Sequence, residues 1–301
     1  MVEELRIHED HHGFVLPYDA EAHRVGMRTP HRHKELEMNV VVRGRAEYVL
    51  SDQRYRLSPG SIVWLFPGQD HLLTKTNDAF KMYVVVFKEQ LFDNDRLLKE
   101  KYQILRESDP VGSFCRRISL TSIQQLERVC DSLCALNRRQ DVTCPAYYYA
   151  GQAFGFQHNA EYLHADPDVL NSGLSYLMTM GWHLFATEGS HEKKEVLDPA
   201  VEQALQLLKS NSEEELSLAD LAMACGTSPT RLSRLFSEQL GVSMVDYKNQ
   251  LKLEHFLACF DQHDHYNLSE ACYAAGFGSY SQFYKIFKQS FGVSPKAYFS
   301  L

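Results

Sequence analysis

The sequence predicts an α+β chain: an N-terminal β-barrel, a helical middle segment, and an all-α C-terminal domain with two helix-turn-helix motifs. Three observations carry this. Residues 1 to about 110 hold short β-rich runs separated by turn signals, residues 120 to 187 hold apolar residues at helical spacing, and the last hundred residues contain one helical unit twice.

The β region comes first. "EMNVVVRG", "RAEYVLS", "SIVWLF" and "KMYVVVF" are broken by signals such as Ser58-Pro59-Gly60 and Pro67-Gly68. Many short strands joined by Gly/Pro turns suggest a sandwich or small barrel. We assign residues 1–115 to this domain.

The middle segment, 116–187, reads as helical. Ile123, Leu126, Val129, Cys130, Leu133 and Leu136 fall three and four apart, as do Leu170, Leu174, Leu177, Gly181 and Leu184. A further helix is expected through "AYYYAGQAFGF". These helices pack on the barrel or on a second subunit, and a homodimer through residues 120 to 187 is expected. The polar stretch "ATEGSHEKKEVLDP" reads as a linker into the last domain, 198–301.

Within that domain Leu218, Asp220 and Gly226 match Leu268, Glu270 and Gly276. After a one-residue insertion, Ser228, Leu232, Arg234, Phe236, Gly241 and Tyr247 match Ser279, Phe283, Lys285, Phe287, Gly292 and Tyr298. Each copy has a short alanine-rich helix, a glycine where the chain must reverse, and a second helix opened by a serine cap. Leu232, Leu235 and Phe236 face inward in one copy, and Phe283, Ile286 and Phe287 in the other. That leaves Thr230, Arg231, Ser233 and Arg234, with Tyr280, Ser281, Gln282, Tyr284 and Lys285, on outward faces that can donate to bases and phosphates. The helix "MVDYKNQLKLEHFLACF" spaces the two readers, and major grooves on one face of DNA recur every ~34 Å.

Composition bounds the rest. Across 301 residues the hydrophobic fraction is 44%, the charged fraction 23% and the net charge −8. Acids outnumber lysines and arginines twelve to eight from Asp198 onward, so any contact with DNA is expected from a local basic stripe and not from a basic surface. Seven scattered cysteines suit reduced thiols. Met1 to Asp10 has no apolar centre and no run is long enough to span a bilayer, so a cytoplasmic protein with no membrane partner is expected.

The tail "GFGSYSQFYKIFKQSFGVSPKAY" resembles the signature of AraC/XylS-type transcriptional regulators, and the resemblance covers about residues 198 to 301. It implies that the outward residues above read double-stranded promoter DNA, one helix in each of two successive major grooves. RNA polymerase is a further candidate partner. The sequence departs from the pattern at Lys252, at His255-Phe256 and at Phe299.

The β region resembles the cupin barrel that often precedes such a domain. His31, His33, Glu37 and Gly44 follow the first cupin motif, and Gly60, Gly68 and His71 the second, with Phe66 and Lys75 departing from it. Alternate residues on a strand share a face, so His31 and His33 converge inside the barrel, with Glu37 at the same parity. Imidazoles with a carboxylate suit a divalent metal (Zn, Fe, Mn or Ni). The same residues also suit a metal-free pocket for a small-molecule effector such as a sugar, with Trp64, Tyr83 and Phe87 as candidate walls, although plain barrel core is the commoner role for any one of them. His11, His12, His263 and His265 read as surface residues. The expected function is a ligand-responsive DNA-binding regulator, not an enzyme. The alternatives are a metal-dependent oxygenase or isomerase on the same barrel, and a regulator that senses the metal itself.

Overall fold

Period-two alternation sorts the side chains of the β region into two environments. On β2 (Leu36–Arg43) Glu37, Asn39 and Val41 turn one way, and Met38 and Val40 the other. Glu37 and Asn39 are fully buried although polar, while Met38 and Val40 sit in an apolar layer under helices. The computed structural model describes residues 5, 7–20, 32–50, 53–93, 100–138, 163–191, 194–210, 216–262, 267–291 and 294–299.

The strands are β1 (Gly13–Asp19), β2, β3 (Ala46–Leu50), β4 (Gln53–Leu57), β5 (Ser61–Leu65), β6 (His71–Thr76), β7 (Lys81–Phe87) and β8 (Cys115–Arg117), then the short β9 (Asn137–Arg138), β10 (Leu163–His164), β11 (Ser190–His191) and β12 (Lys194–Val196). One sheet runs β1-β7-β2-β5-β8-β11 and the other β12-β4-β3-β6. Their paired strands are antiparallel. Val63 and Leu65 of one sheet and Tyr48, Leu72 and Leu73 of the other share one apolar cluster.

The outer face of the larger sheet carries α1 (Leu120–Cys134) and α2 (Pro167–Thr187). The stripes expected on these helices are used within the chain: Ile123, Leu126, Cys130 and Leu133, with Leu170, Leu174, Leu177 and Leu184, bury against Met38, Trp64, Val85 and Phe87. Gly181 is where α2 comes closest, since a Cβ there would stand 2.4 Å from Met38 Sδ. Ser119 caps α1 and Asp166 caps α2, with Pro167 in the first turn.

Three expectations change. Residues 186–199 are not a free linker: β11 pairs with β8 on one sheet and β12 with β4 on the other. His11 is not a surface residue. It is buried just before β1, ring to ring with His8 at 5.2 Å. Trp64, Tyr83 and Phe87 do not wall the barrel interior. Trp64 pairs with Met38, and Tyr83 with Val40, so all three take the opposite parity to Glu37 and lie under the helices. Tyr83 there donates to Asp131 of α1 and accepts from Lys81 Nζ at 2.9 Å. The segment "AYYYAGQAFGF", His263 and His265 lie outside the described residues.

The C-terminal half holds α3 (Pro199–Ser210), α4 (Leu218–Ala224), α5 (Pro229–Leu240), α6 (Met244–Gln262), α7 (Leu268–Ala274), α8 (Tyr280–Phe291) and α9 (Pro295–Tyr298). Residues of α3 to α6 form one apolar cluster with the barrel interior, whereas α7 and α8 pack with the far end of α6 in a separate cluster. No helix among the described residues is long and apolar enough to cross a membrane.

Gly44 turns β2 into β3 with φ +72, and a Cβ on it would stand 2.4 Å from Phe80 Cα. Gly44→Ala combines left-handed strain with a backbone clash and should cost at least about 2 kcal/mol. Urea unfolding measures it, and a cost under about 0.5 kcal/mol would contradict this account of the turn.

Candidate functional site

The barrel's polar interior is built from two segments that meet. His33 lies just before β2, held where its carbonyl accepts from Gly68 N–H at 2.9 Å. His71 opens β6 opposite Leu50 of β3. With Glu37 of β2 they form a buried group whose ligand atoms all lie within 4.8 Å of one another. The two imidazoles meet edge to face at 5.3 Å, and Tyr48 stacks on His71. His31, expected here as a further ligand, lies outside the described residues.

Hydrogen bonds set the protons. His33 Nδ1 faces the Glu35 carbonyl at 3.0 Å, and His71 Nδ1 faces the Gln69 carbonyl at 2.9 Å. A carbonyl can only accept, so each Nδ1 carries a proton and each Nε2 is left for the interior. His33 Nε2 then faces Glu37 Oε2 at 3.1 Å. Two acceptors at that distance need a proton or a metal cation between them. The other carboxylate oxygen accepts from Asn39 Nδ2 at 2.8 Å.

Burial pushes the Glu37 carboxyl up, but the hydrogen bond and charge of His33, with His71 and Asn39, bring it below its ordinary value. Burial pushes His71 down to about 4, only partly offset by Glu37. The cluster therefore presents an ionised carboxylate and a neutral imidazole near neutral pH. Burial, with the charge of Glu37 next, raises Tyr48 well above its usual range, so its hydroxyl stays protonated.

Two members of this interior were not singled out from sequence. Asn39 was legible, since it stands two residues beyond Glu37 and shares its face. Its Oδ1 is buried and has no hydrogen-bond partner among the described residues. Tyr48 comes from β3 and is recognisable only once the two sheets are packed.

The residues present fit a divalent metal: two imidazole Nε2 atoms and one carboxylate, each ring oriented by a backbone acceptor. The same donors and acceptors also fit hydroxyl groups.

The second site lies on the helical units. Both reversals are left-handed glycines, Gly226 at φ +63 and Gly276 at φ +80. Asp220 and Glu270, matched between the repeats, close capping boxes with Ser217 and Asn267. Ser228 caps α5, with Pro229 in its first turn, and Ser279 Oγ accepts from Gln282 N–H at the start of α8. Leu232 and Phe236, and Phe283 and Phe287, are fully buried. Thr230, Arg231, Arg234, Ser281, Gln282, Tyr284 and Lys285 are exposed, and Ser233 is half-buried. Tyr280 is also half-buried, its ring 5.5 Å from Phe283. Arg231 lies 3.6 Å from Asp198, and Arg234 bonds to Glu238 one turn along.

Comparison with known proteins agrees with both halves. Residues 12–139 match the model of the AraC-like ligand binding domain, and residues 221–300 match that of a helix-turn-helix domain. The chain is 22% identical over 278 residues to the melibiose operon regulatory protein of Escherichia coli, covering 90% of this chain and 83% of that one. It is 31% identical over 102 residues to an uncharacterized response regulatory protein of Staphylococcus epidermidis, covering 34% and 39%. Wild-type ToxT of Vibrio cholerae, solved with a bound unsaturated fatty acid, aligns over 95% of this chain and 94% of its own at 17% identity and TM-score 0.35. With a ligand-binding barrel and two helix-turn-helix units in one chain, this protein belongs to the AraC family of DNA-binding transcriptional regulators.

Proposed function

We propose that the protein regulates promoters in the cytoplasm as a homodimer, and that its effector is a neutral polyhydroxylated molecule, such as a sugar, bound at His33, Glu37, Asn39 and His71. One observation carries the choice of effector. Glu37 is fully buried and held ionised by His33, His71 and Asn39, and among the described residues no lysine or arginine takes part. An ionised carboxylate in low dielectric repels an anionic effector and accepts from hydroxyl groups. This favours a sugar, as the name of the melibiose regulator suggests for that protein, over the fatty acid found in ToxT.

The facing acceptors on His33 and Glu37 favour a second reading, in which a divalent cation sits between them. His33, Glu37 and His71 would hold it, and it would supply a Lewis-acidic anchor for effector oxygens. We do not assign turnover to this barrel. The chain's most specific motif is for DNA, and a ligand set alone names no reaction.

Titration of the full chain on its own upstream DNA, with candidate sugars and divalent cations added singly, tests the reading. An effector should change affinity by about 5- to 100-fold in wild type and by under twofold in Glu37→Gln. Equal responses in both proteins would overturn the assignment of the site.

Recognition is expected through α5 and α8, with RNA polymerase as a further contact at activated promoters. DNA affinity should fall as salt rises, because phosphate contacts release counterions. Arg234→Ala should cost ~1–3 kcal/mol and relax preference at one base pair. Uniform weakening on every sequence would make Arg234 a phosphate contact instead.

The dimer is assigned to the outer surfaces of α1 and α2, since their apolar stripes are spent inside the chain. Leu120, Val169 and Tyr176 remain exposed there, and Leu136 just beyond α1. Sedimentation of the full chain should show a dimer that Tyr176→Glu weakens. A strict monomer at high concentration would contradict it.

A further inference from the structure

The two reading helices are built alike but end differently. α8 carries Lys288 in its last turn, whereas α5 has no basic residue there. The repeat places Ser237 where α8 has that lysine. A helix C-terminus leaves its last four carbonyls without intrahelical donors and carries partial negative charge. In α5 the Gly241 N–H closes on the Ser237 carbonyl. The next carbonyl, that of Glu238, accepts from Lys75 Nζ at 2.8 Å. Lys75 belongs to β6 of the barrel, where Glu47 holds it at 3.5 Å.

The barrel is shaped for this contact. Glu47 pairs with Lys75 but Tyr48 pairs with Leu73, so Thr74 is an extra residue in β6. Such a bulge re-aims the strand locally. The Thr74 side chain bonds to the Glu47 carbonyl at 3.1 Å, and its own carbonyl lies 2.9 Å from where a Cβ on Gly241 would stand. Two successive barrel residues thus meet the end of α5. His71 of the buried cluster lies four residues earlier on the same strand.

The contact reaches the DNA face through Glu238. Arg234 Nη1 lies 2.9 and 2.8 Å from its two carboxylate oxygens. The other two guanidinium nitrogens have no partner among the described residues. A guanidinium held at one nitrogen keeps two donors for a base edge, as bidentate contact to guanine requires.

We propose that Lys75 is a cap on the first recognition helix supplied by the barrel, and that through Glu238 it is a positioning residue for Arg234. The barrel then governs the first DNA subsite and not the second. This rests on the DNA-reading assignment above. Lys75 is half-exposed, so its replacement leaves the core intact.

The test begins with a duplex selected by the full wild-type chain from a random library. Binding is then measured on single-base variants of each subsite, with hydrogen exchange of α5 followed in parallel. Wild type should discriminate at the Arg234 position by about fivefold or more. Lys75→Met should cut that preference to under twofold, speed exchange in the last turn of α5, and leave the second subsite unchanged. Lys75→Arg should restore the preference and the slow exchange. Glu238→Ala should lose the same preference while exchange stays as in wild type. Unchanged preference in Lys75→Met, equal loss at both subsites, or no rescue by arginine would overturn the proposal. A wild-type preference independent of Arg234 would overturn it and leave the regulator reading standing. Failure to select any sequence would overturn both.

Discussion

A carboxylate fully buried in a barrel needs a counter-charge, and the rest of the N-terminal half is arranged around supplying one. Glu37 Oε2 faces His33 Nε2 across 3.1 Å, a pair that needs a proton or a cation between its atoms. Backbone carbonyls of Glu35 and Gln69 fix the two rings, and Asn39 holds the second carboxylate oxygen. An isolated charge in such a place would be strongly destabilising, and a filled polar network is tolerated only when every member is satisfied. Asn39 Oδ1, with no partner among the described residues, marks where the described network stops short of completion. Under the proposed function this is where an effector's polar groups would complete the network.

The same strand parity keeps the polar interior apart from the face that packs against the helices. Inward positions of β2 carry the polar groups, and outward positions carry Met38 and Val40 under α1 and α2. A change inside the barrel can reach the helical half along β6, which begins at His71 and ends beside α5. The first helix-turn-helix shares an apolar cluster with the barrel and the second does not. The proposed unequal coupling of the two units rests on this difference in packing.

Much of this was legible in the sequence, for identifiable reasons. The repeat exposed the helical units because their constraints are local: a cap, a reversing glycine and an apolar stripe. Ser228, Gly226 and Phe236 needed no knowledge of the rest of the fold. β2, β5 and β7 were legible as dense β-branched runs, whereas β1, β4 and β6 mix polar and apolar residues and take their pairing from neighbours. β11 and β12 are two and three residues long and exist only because sheet edges were waiting for them. The error over Trp64, Tyr83 and Phe87 has one cause. Alternation says which residues share a face within a strand, but only the register between strands says which face that is. His33, Glu37 and His71 could be grouped through the cupin resemblance, while the tautomers that give the group its chemistry required carbonyl positions that no sequence pattern encodes.

The account depends on how the protons sit in this cluster. Nitrogen-15 NMR of histidine-labelled protein, prepared with chelator, reads them directly. His71 should be neutral near pH 6 and protonated on Nδ1, and it should begin to charge only as pH falls toward about 4. His33 should carry a proton on Nδ1, with Nε2 either protonated against Glu37 or shifted by an added divalent cation. An imidazole of His71 that is protonated on Nε2, or that titrates near its ordinary value of 6.5, would contradict the account.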